Sequence, residues 1–484
     1  MQHTGETTIS GDARRGMVVV ELPLGDASST FNLEKAVCSH GLFMMAPNHW
    51  DPLTKTLERP LRLSDDHHCA DHEISVTVRV SHPSDSPQSL RLHVFGTDCL
   101  SAQQHQSLMA QVRRMLRLSE EEEKMVREFQ EMYGEAKERG FGRVFRSPIL
   151  FEDMVKCILL CNCQWSRTLS MAKALCELQL ELSSSDKKFS LSVESDHFIP
   201  KTPAAKEKWK KAGVHKCSKN LSARLAEAQA TTEEDNVLTT GSAEIVDCPP
   251  KFKGLSSKDI SSDKKEDFLL GCDISQTPSN LCSDNPCSSS DLHSAEAVEL
   301  NALNGVGNFP SPRELAELNE SFLAKRCNLG YRAARIINLA RGVVEGRIPL
   351  KEIEECCRQP NLSNYDELAR QLKEIDGFGP FTCANVLMCL GYYHVIPTDS
   401  ETIRHLKQVH AKSSSTLTVQ KDVEAIYGKY APFQFLVYWS EIWHFYEEWF
   451  GKLSEMPQSG YNRITASNMR PKRNAKSKRI KTSA

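Results

Sequence analysis

Residues 374–406 read EIDGFGPFTCANVLMCLGYYHVIPTDSETIRHL. A Gly377-Phe378-Gly379 turn separates a short amphipathic run from a second helical run, Phe381 to Leu390, and a lone acid, Asp399, stands at the mouth of a third. Glycines let backbone amides approach a ligand closely, and the helix that follows aims its unpaired N–H groups at an anion placed there. A phosphate held at the turn would sit near a single carboxylate. Thr398 and Glu401 fit a capping box, which predicts Asp399 in the first helical turn, where the helix dipole favours negative charge.

Ile375-Asp376-Gly377-Phe378-Gly379-Pro380-Phe381-Thr382-Cys383-Ala384, followed by Pro397-Thr398-Asp399, resembles the helix-hairpin-helix Gly/Pro-Asp superfamily of DNA glycosylases, whose pattern is Leu-x-Gly-x-Gly-x-x-Thr-Ala and then Pro-x-Asp. Three further segments are similar to the branch that acts on 8-oxoguanine and, as the type II enzymes, on 3-methyladenine. These are Phe31 to Trp50 leading into a β-rich region, Phe151-Glu152-Asp153-Met154-Val155 with Gln164 after it, and Asn328-Leu329-Gly330-Tyr331-Arg332-Ala333-Ala334-Arg335. The likeness covers roughly residues 17–182 and 310–450. It implies an α+β chain, with an N-terminal antiparallel β-rich domain before an all-α helix-hairpin-helix glycosylase core.

The alternation of Met17 to Leu22, Ile74 to Val80 and Leu90 to Phe95 predicts that sheet directly. Helical periodicity starts near Ser101 and resumes at Glu120 to Met132 and Phe151 to Leu182. From about Ser183 to Leu300, Ser, Lys, Asp and Glu dominate and apolar periodicity is missing, as in a disordered insertion or a small separate domain. The expected division is a disordered 1–16, a β-rich 17–116, a first helical part 117–182, a polar insertion 183–310, a second helical part 311–452 and a basic tail 453–484.

Composition bounds the reading further. The chain has 484 residues, 40% of them apolar and 25% charged, with a net charge of −3 that does not advertise a polyanion partner. Acidic flexible segments can offset a basic face, so overall charge does not decide this point. No apolar run approaches the roughly 18 residues of a membrane helix, and no apolar signal core follows Met1, so neither a membrane nor a secreted protein is expected. The 17 cysteines then read as reduced thiols, with Cys157, Cys176 and Cys389 on apolar faces. The tail from Arg470 to Lys481 has basic residues and no acid, as in a nuclear localisation signal or a phosphate-binding arm.

The resemblance implies removal of a damaged base in base excision repair, with Asp399 as the catalytic carboxylate. Gly377, Phe378, Gly379, Pro380 and Thr382 would hold the DNA phosphate. Asn162 and Gln164 would fill the gap left by a flipped base or merely cap a helix; Tyr331 and Arg332 would face DNA or only link two helices. Bifunctional relatives carry a lysine two residues after the second glycine, a nucleophile that forms a Schiff base with the sugar. Phe381 stands there, so the resemblance implies a monofunctional enzyme that leaves an abasic site. Phe381 either stacks on the flipped base, tilting the substrate towards alkylated purines, or belongs to the core. Trp165 is the second base-pocket candidate.

No cysteine follows Cys389, so no iron–sulfur cluster of the endonuclease III type is expected. Cys161-Asn162-Cys163, Cys356-Cys357 and the polar run from Asp65 to His72 make no persuasive metal set, and no metal is expected beyond a monovalent cation on hairpin carbonyls. The implied partners are double-stranded DNA with a damaged base and the enzymes that process abasic sites, with the protein a nuclear monomer. Two alternatives stay open: a non-catalytic DNA-binding module, and a glycosylase–lyase using an off-motif lysine such as Lys373 or Lys407.

Overall fold

Five strands, β1 (Met17–Pro23), β2 (His49–Asp51), β3 (Thr56–Leu63), β4 (Ile74–Ser81) and β5 (Ser89–Phe95), form an antiparallel sheet in the order β1-β5-β4-β3-β2. The computed structural model describes residues 16–64, 73–184, 306–357 and 362–469, which all belong to one compact unit. The expected insertion core 185–305, the N-terminal 1–15, the polar run 65–72 and the basic segment 470–484 lie outside the described residues. Alternate residues of β1, β4 and β5 point inward, among them Leu22, Val78 and Leu92, as the period-2 pattern requires.

Among the described residues, fifteen helices follow or interleave: α1 (Leu33–Val37), α2 (Ala102–Leu116), α3 (Glu120–Met132), α4 (Gly134–Arg139), α5 (Leu150–Leu160) and α6 (Trp165–Ser184), then α7 (Pro312–Ala316), α8 (Glu320–Arg326) and α9 (Arg332–Val344). The series closes with α10 (Leu350–Cys356), α11 (Leu362–Lys373), α12 (Pro380–Leu390), α13 (Ser400–Val409), α14 (Val419–Tyr427) and α15 (Gln434–Phe450). The sequence starts α2 and α3 where Ser101 and Ser119 accept N–H bonds from Gln104 and Glu122. The run from 151 to 182 forms two helices, α5 and α6, parted by a loop. It breaks at Asn162, whose φ of 46° is the left-handed conformation that Asn tolerates better than most residues.

Sheet and helices share one apolar core. Two ion clusters tie distant segments together, the first joining sheet to helix. Arg59 on β3 meets Glu152 on α5 at 2.9 Å, and Lys156 one turn on meets the same carboxylate at 2.7 Å. Burial pushes Glu152 up, but Arg59 and Lys156 outweigh it and hold the carboxyl at about 2.

The second cluster grips the hairpin. Arg117, fully buried just after α2, donates Nη2 to the carbonyls of Met388 (3.0 Å) and Cys389 (3.1 Å) at the end of α12. Arg146 donates Nη1 to the Cys389 carbonyl at 2.8 Å, and Glu122 balances both cations.

The expected tail is partly folded. Residues 453–469 form three short 3₁₀ turns that bury Leu453, Met456, Tyr461, Ile464 and Met469, and the Trp50 indole donates to the Ser454 carbonyl at 2.8 Å. These apolar residues follow neither a helical nor a strand period, so pattern reading passes over them. Among the described residues no helix is long and apolar enough to cross a membrane, and all the cysteines are free.

Removing the Arg117 side chain takes one buried donor from each of the carbonyls of Val144, Met388 and Cys389 and breaks its ion pair with Glu122. Arg117→Ala is expected to cost about 3–5 kcal/mol of stability, read as a fall in the urea midpoint. Arg370→Ala, whose ion pairs with Glu367 and Glu374 lie on the exposed surface, should leave the midpoint where it is.

Candidate nucleic-acid interface and catalytic carboxylate

The hairpin is α11, a turn over residues 374–379, and α12. Gly377 has φ +84°, and a Cβ there would run into the Arg335 side chain, so both backbone and space ask for glycine. Gly379 differs: its φ is −81°, and a Cβ would meet nothing within 4 Å. Openness, not conformation, is what glycine supplies at 379. Pro380 follows at the first helical position, where its missing N–H is no loss. The amides of Phe381 and Thr382 have no acceptor among the described residues, so the first turn of α12 keeps two free donors.

Two distant segments meet this turn. Asn338 Nδ2 on α9 donates to Asp376 at 3.1 Å, and Arg335 packs under Gly377. Tyr331, 49% exposed at the start of α9, has the guanidinium groups of Arg332 and Arg335 over its ring at 4.6 and 4.7 Å. From α5, Cys161 Sγ lies 2.9 Å from Thr382 Oγ1. Arg332 is buried and donates Nη2 to the carbonyls of Cys161 and Asn162. It therefore sets the loop that displays Asn162 instead of facing DNA itself.

Asn162 and Gln164 are exposed, and their side chains make no hydrogen bond among the described residues, so neither caps a helix with its side chain. Phe378 and Thr382 have buried side chains, which leaves their backbone as what they can offer a ligand. Trp165 is committed to packing: its ring lies against Gly41 and its Nε1 donates to the Tyr461 carbonyl at 3.1 Å. Phe381 is half-buried and stands outside the hydrophobic core. That leaves its ring available to a ligand.

Asp399 is itself the N-cap of α13, not a first-turn residue behind Thr398. The reciprocal partner is Thr402, not Glu401. Asp399 Oδ1 accepts the N–H groups of Glu401 and Thr402, each at 2.9 Å, while Thr402 Oγ1 lies 3.2 Å from the Asp399 amide. The cap shifts because Asp accepts two amides from the Ncap position as well as Thr accepts one. Asp399 Oδ2 has no hydrogen-bond partner among the described residues.

Burial raises the Asp399 carboxyl above its ordinary value, against the bonds from Thr402 and with a smaller push from Glu401. Glu401 is no second free acid, since it pairs with Arg404 and accepts the Tyr446 hydroxyl. Behind the cap, Thr402 Oγ1 lies 2.8 Å from the Tyr438 hydroxyl on α15. On α15 the aromatic run is mostly core: Trp443 is buried, and half-buried Trp439 stacks on Phe435 and donates to the Ser39 carbonyl. A cleft of about 1250 Å³, lined by Arg113, Glu121 and His394 among others, includes neither Asp399 nor the turn glycines. Chemistry at Asp399 would thus take place outside that cleft.

No protein-family model matches the chain, and no curated protein matches it significantly. Among solved structures it is similar to a 3-methyladenine DNA glycosylase from Archaeoglobus fulgidus, at 13% identity and a TM-score of 0.45, covering 88% of this chain and 98% of that one. It is also similar to an 8-oxoguanine glycosylase/lyase from Clostridium acetobutylicum in complex with double-stranded DNA, at 12% identity and a TM-score of 0.42, covering 85% and 92%. The apo form of the latter aligns at 11% identity and a TM-score of 0.38, covering 82% and 96%.

The raised Asp399 carboxyl generates a stability prediction. Its folded-state value lies above its unfolded value of about 3.9, so the ionised form is penalised in the folded chain at neutral pH. That penalty vanishes as pH falls through the folded value towards the unfolded one. Asn keeps the cap without the charge. Asp399→Asn is therefore expected to melt at or above the wild-type temperature at pH 7, with any gain shrinking as the buffer is acidified; a lower melting temperature at pH 7 would contradict this account.

Proposed function

We propose that the chain is a monofunctional DNA N-glycosylase that removes a damaged base in base excision repair. The observation that carries the reading is Asp399: one carboxylate oxygen is fixed by the first amides of α13, and the other is unpartnered. Breaking an N-glycosidic bond builds positive charge on the deoxyribose, which a fixed carboxylate stabilises. Water adds its oxygen to C1′ and gives a proton to Asp399, while the base leaves with the bonding electron pair. The products are a free base and an abasic site. A carboxyl raised by burial is a better proton acceptor at working pH than an ordinary one.

The hairpin supplies the second half of the reading. The free amides of Phe381 and Thr382, with open space above Gly379, suit the phosphate 3′ to the damaged nucleotide. The carbonyls of Asp376 and Gly377 accept no bond among the described residues and are the oxygens that would hold a monovalent cation there. Asn162, Gln164 and Tyr331 are the exposed side chains placed to enter the duplex. Phe381 offers a π face to the flipped base, and its place in the hairpin supports hydrolysis over Schiff-base chemistry. A ring favours electron-poor bases, so alkylated purines, which carry positive charge, are the substrate class we assign. The DNA partner and the basic segment 470–484 make the nucleus the expected location.

The test is a panel of duplexes, each carrying one lesion (alkylated purine, 8-oxoguanine, uracil or a thymine mismatch), read with and without alkali. Release of an alkylated purine with strand breaks only after alkali, at least about 100-fold slower in Asp399→Asn, is expected. Strand breaks without alkali together with borohydride-trapped adducts would replace this reading with a lyase. Tight binding with no base release on any duplex would replace it with a non-catalytic module.

A further inference from the structure

Four polar side chains from three elements meet at the far end of α13, and the glycosylase reading uses none of them. His405 lies within α13, His410 immediately follows it, Tyr427 ends α14, and Glu441 lies mid-way along α15. His405 Nε2 is 3.1 Å from both Glu441 Oε2 and the Tyr427 hydroxyl; His410 Nε2 is 2.9 Å from the same two atoms. The Tyr427 hydroxyl lies 2.6 Å from Glu441 Oε2. His405 is fully buried, whereas the His410 and Glu441 side chains are 23% and 18% exposed, so solvent reaches the cluster from one side.

Hydrogen bonds alone serve this arrangement poorly. Two neutral imidazoles and a phenol bring three protons to five close contacts, and three of those contacts crowd one carboxylate oxygen. A cation at the centre would accept a lone pair from each group and end the competition. Tetrahedral zinc, with bonds of about 2.0–2.2 Å, places its ligand atoms roughly 3.3 Å apart; the contacts of 2.9–3.1 Å would open by roughly 0.2–0.4 Å and the 2.6 Å contact between Tyr427 and Glu441 by roughly 0.7 Å.

We propose that His405, His410, Glu441 and Tyr427 form a Zn²⁺ site, with two imidazole Nε2 atoms, one carboxylate oxygen and one phenolic oxygen as ligands. Imidazoles disfavour Mg²⁺ and Ca²⁺, which take oxygen donors, and the set contains no thiolate. His405 Nδ1 is buried without a hydrogen-bond partner. Lacking that outer contact, the site is weaker than a fully supported one by roughly 10–100-fold.

The ion would tie α13 to α14 and α15. Tyr438 stands between this site and the cap: its ring meets those of His405 (5.4 Å) and Tyr427 (5.7 Å), and its hydroxyl meets Thr402. The four ligands would therefore act as positioning residues for the helix that carries Asp399. The site stands or falls independently of the glycosylase reading.

The test uses the full chain, stripped with a chelator and titrated with Zn²⁺ against a chromophoric competitor, alongside Glu441→Gln and His410→Ala. Both substitutions fall at partly exposed positions, and circular dichroism checks that they fold. One equivalent of Zn²⁺ bound by the wild type, at least roughly tenfold weaker in each variant, and a melting temperature raised by Zn²⁺ only in the wild type are expected. The Co²⁺ form should show tetrahedral d–d bands without a thiolate charge-transfer band. No uptake, uptake equal in all three proteins, or a thiolate band that places the metal on cysteines would each overturn the proposal.

Discussion

The grip of Arg117 and Arg146 on the carbonyl end of α12 is the contact on which the site depends. A helix carries partial negative charge at its C-terminus and partial positive charge at its N-terminus. Two buried guanidinium groups satisfy the first, at Met388 and Cys389. The second is left with free amides at Phe381 and Thr382. Burial holds the Arg146 guanidinium at about 10, helped by the neighbouring Arg117 and Arg114 and opposed by Glu122. Crowding that many cations is tolerable only where carbonyl dipoles and a carboxylate surround them. The clamp therefore fixes α12 along its axis, and with it the height of the turn that would meet a phosphate.

From that anchored helix the chain reaches Asp399 in few steps. Gly391, with φ +101°, ends α12 in the left-handed conformation, and the Tyr392 amide returns to the Leu387 carbonyl at 2.9 Å. Tyr393 then lies under the Arg117 guanidinium at 5.5 Å and stacks on Phe435 at 6.3 Å, which ties the connection to α15. The acid is thus positioned by the same cation that positions the hairpin. Loop 161–164 and the start of α9 join through Thr382 and Arg332, so segments 171 and 221 residues apart in sequence are brought together.

Much of this was legible in the sequence because local rules governed it. Gly377 needs its positive φ, α3 spans the expected Glu120 to Met132, and the alternating runs became strands with little shift at their ends. What escaped depended on neighbours distant in sequence. The contacts of Arg332 and Thr382 with the loop around Asn162 are of this kind. Thr402, the reciprocal partner in the Asp399 cap, also meets Tyr438, 36 residues away. Whether Phe381 joins the core could not be read from spacing, since both outcomes place it on the same helix face. His405, His410 and Glu441 have no motif spacing at all; only the turn after α13 swings His410 back beside His405.

A net charge of −3 does not bear directly on a phosphate contact made by backbone amides, because side-chain charge is not what would make it. Several arginines that composition counts are internal: Arg59, Arg117, Arg143 and Arg332 are buried against acids and carbonyls and contribute little field outside. Around the turn, the cations nearer the surface are Arg335 beside Tyr331, exposed Arg167 near Gly330 and exposed Lys373 at the end of α11. The proposed phosphate contact thus rests chiefly on oriented amides at the end of one clamped helix. Amide dipoles act at short range and demand exact placement, whereas side-chain charge attracts from a distance and tolerates error. A protein built this way must invest in rigidity behind the contact, and the buried arginine clamp at the opposite end of α12 provides it.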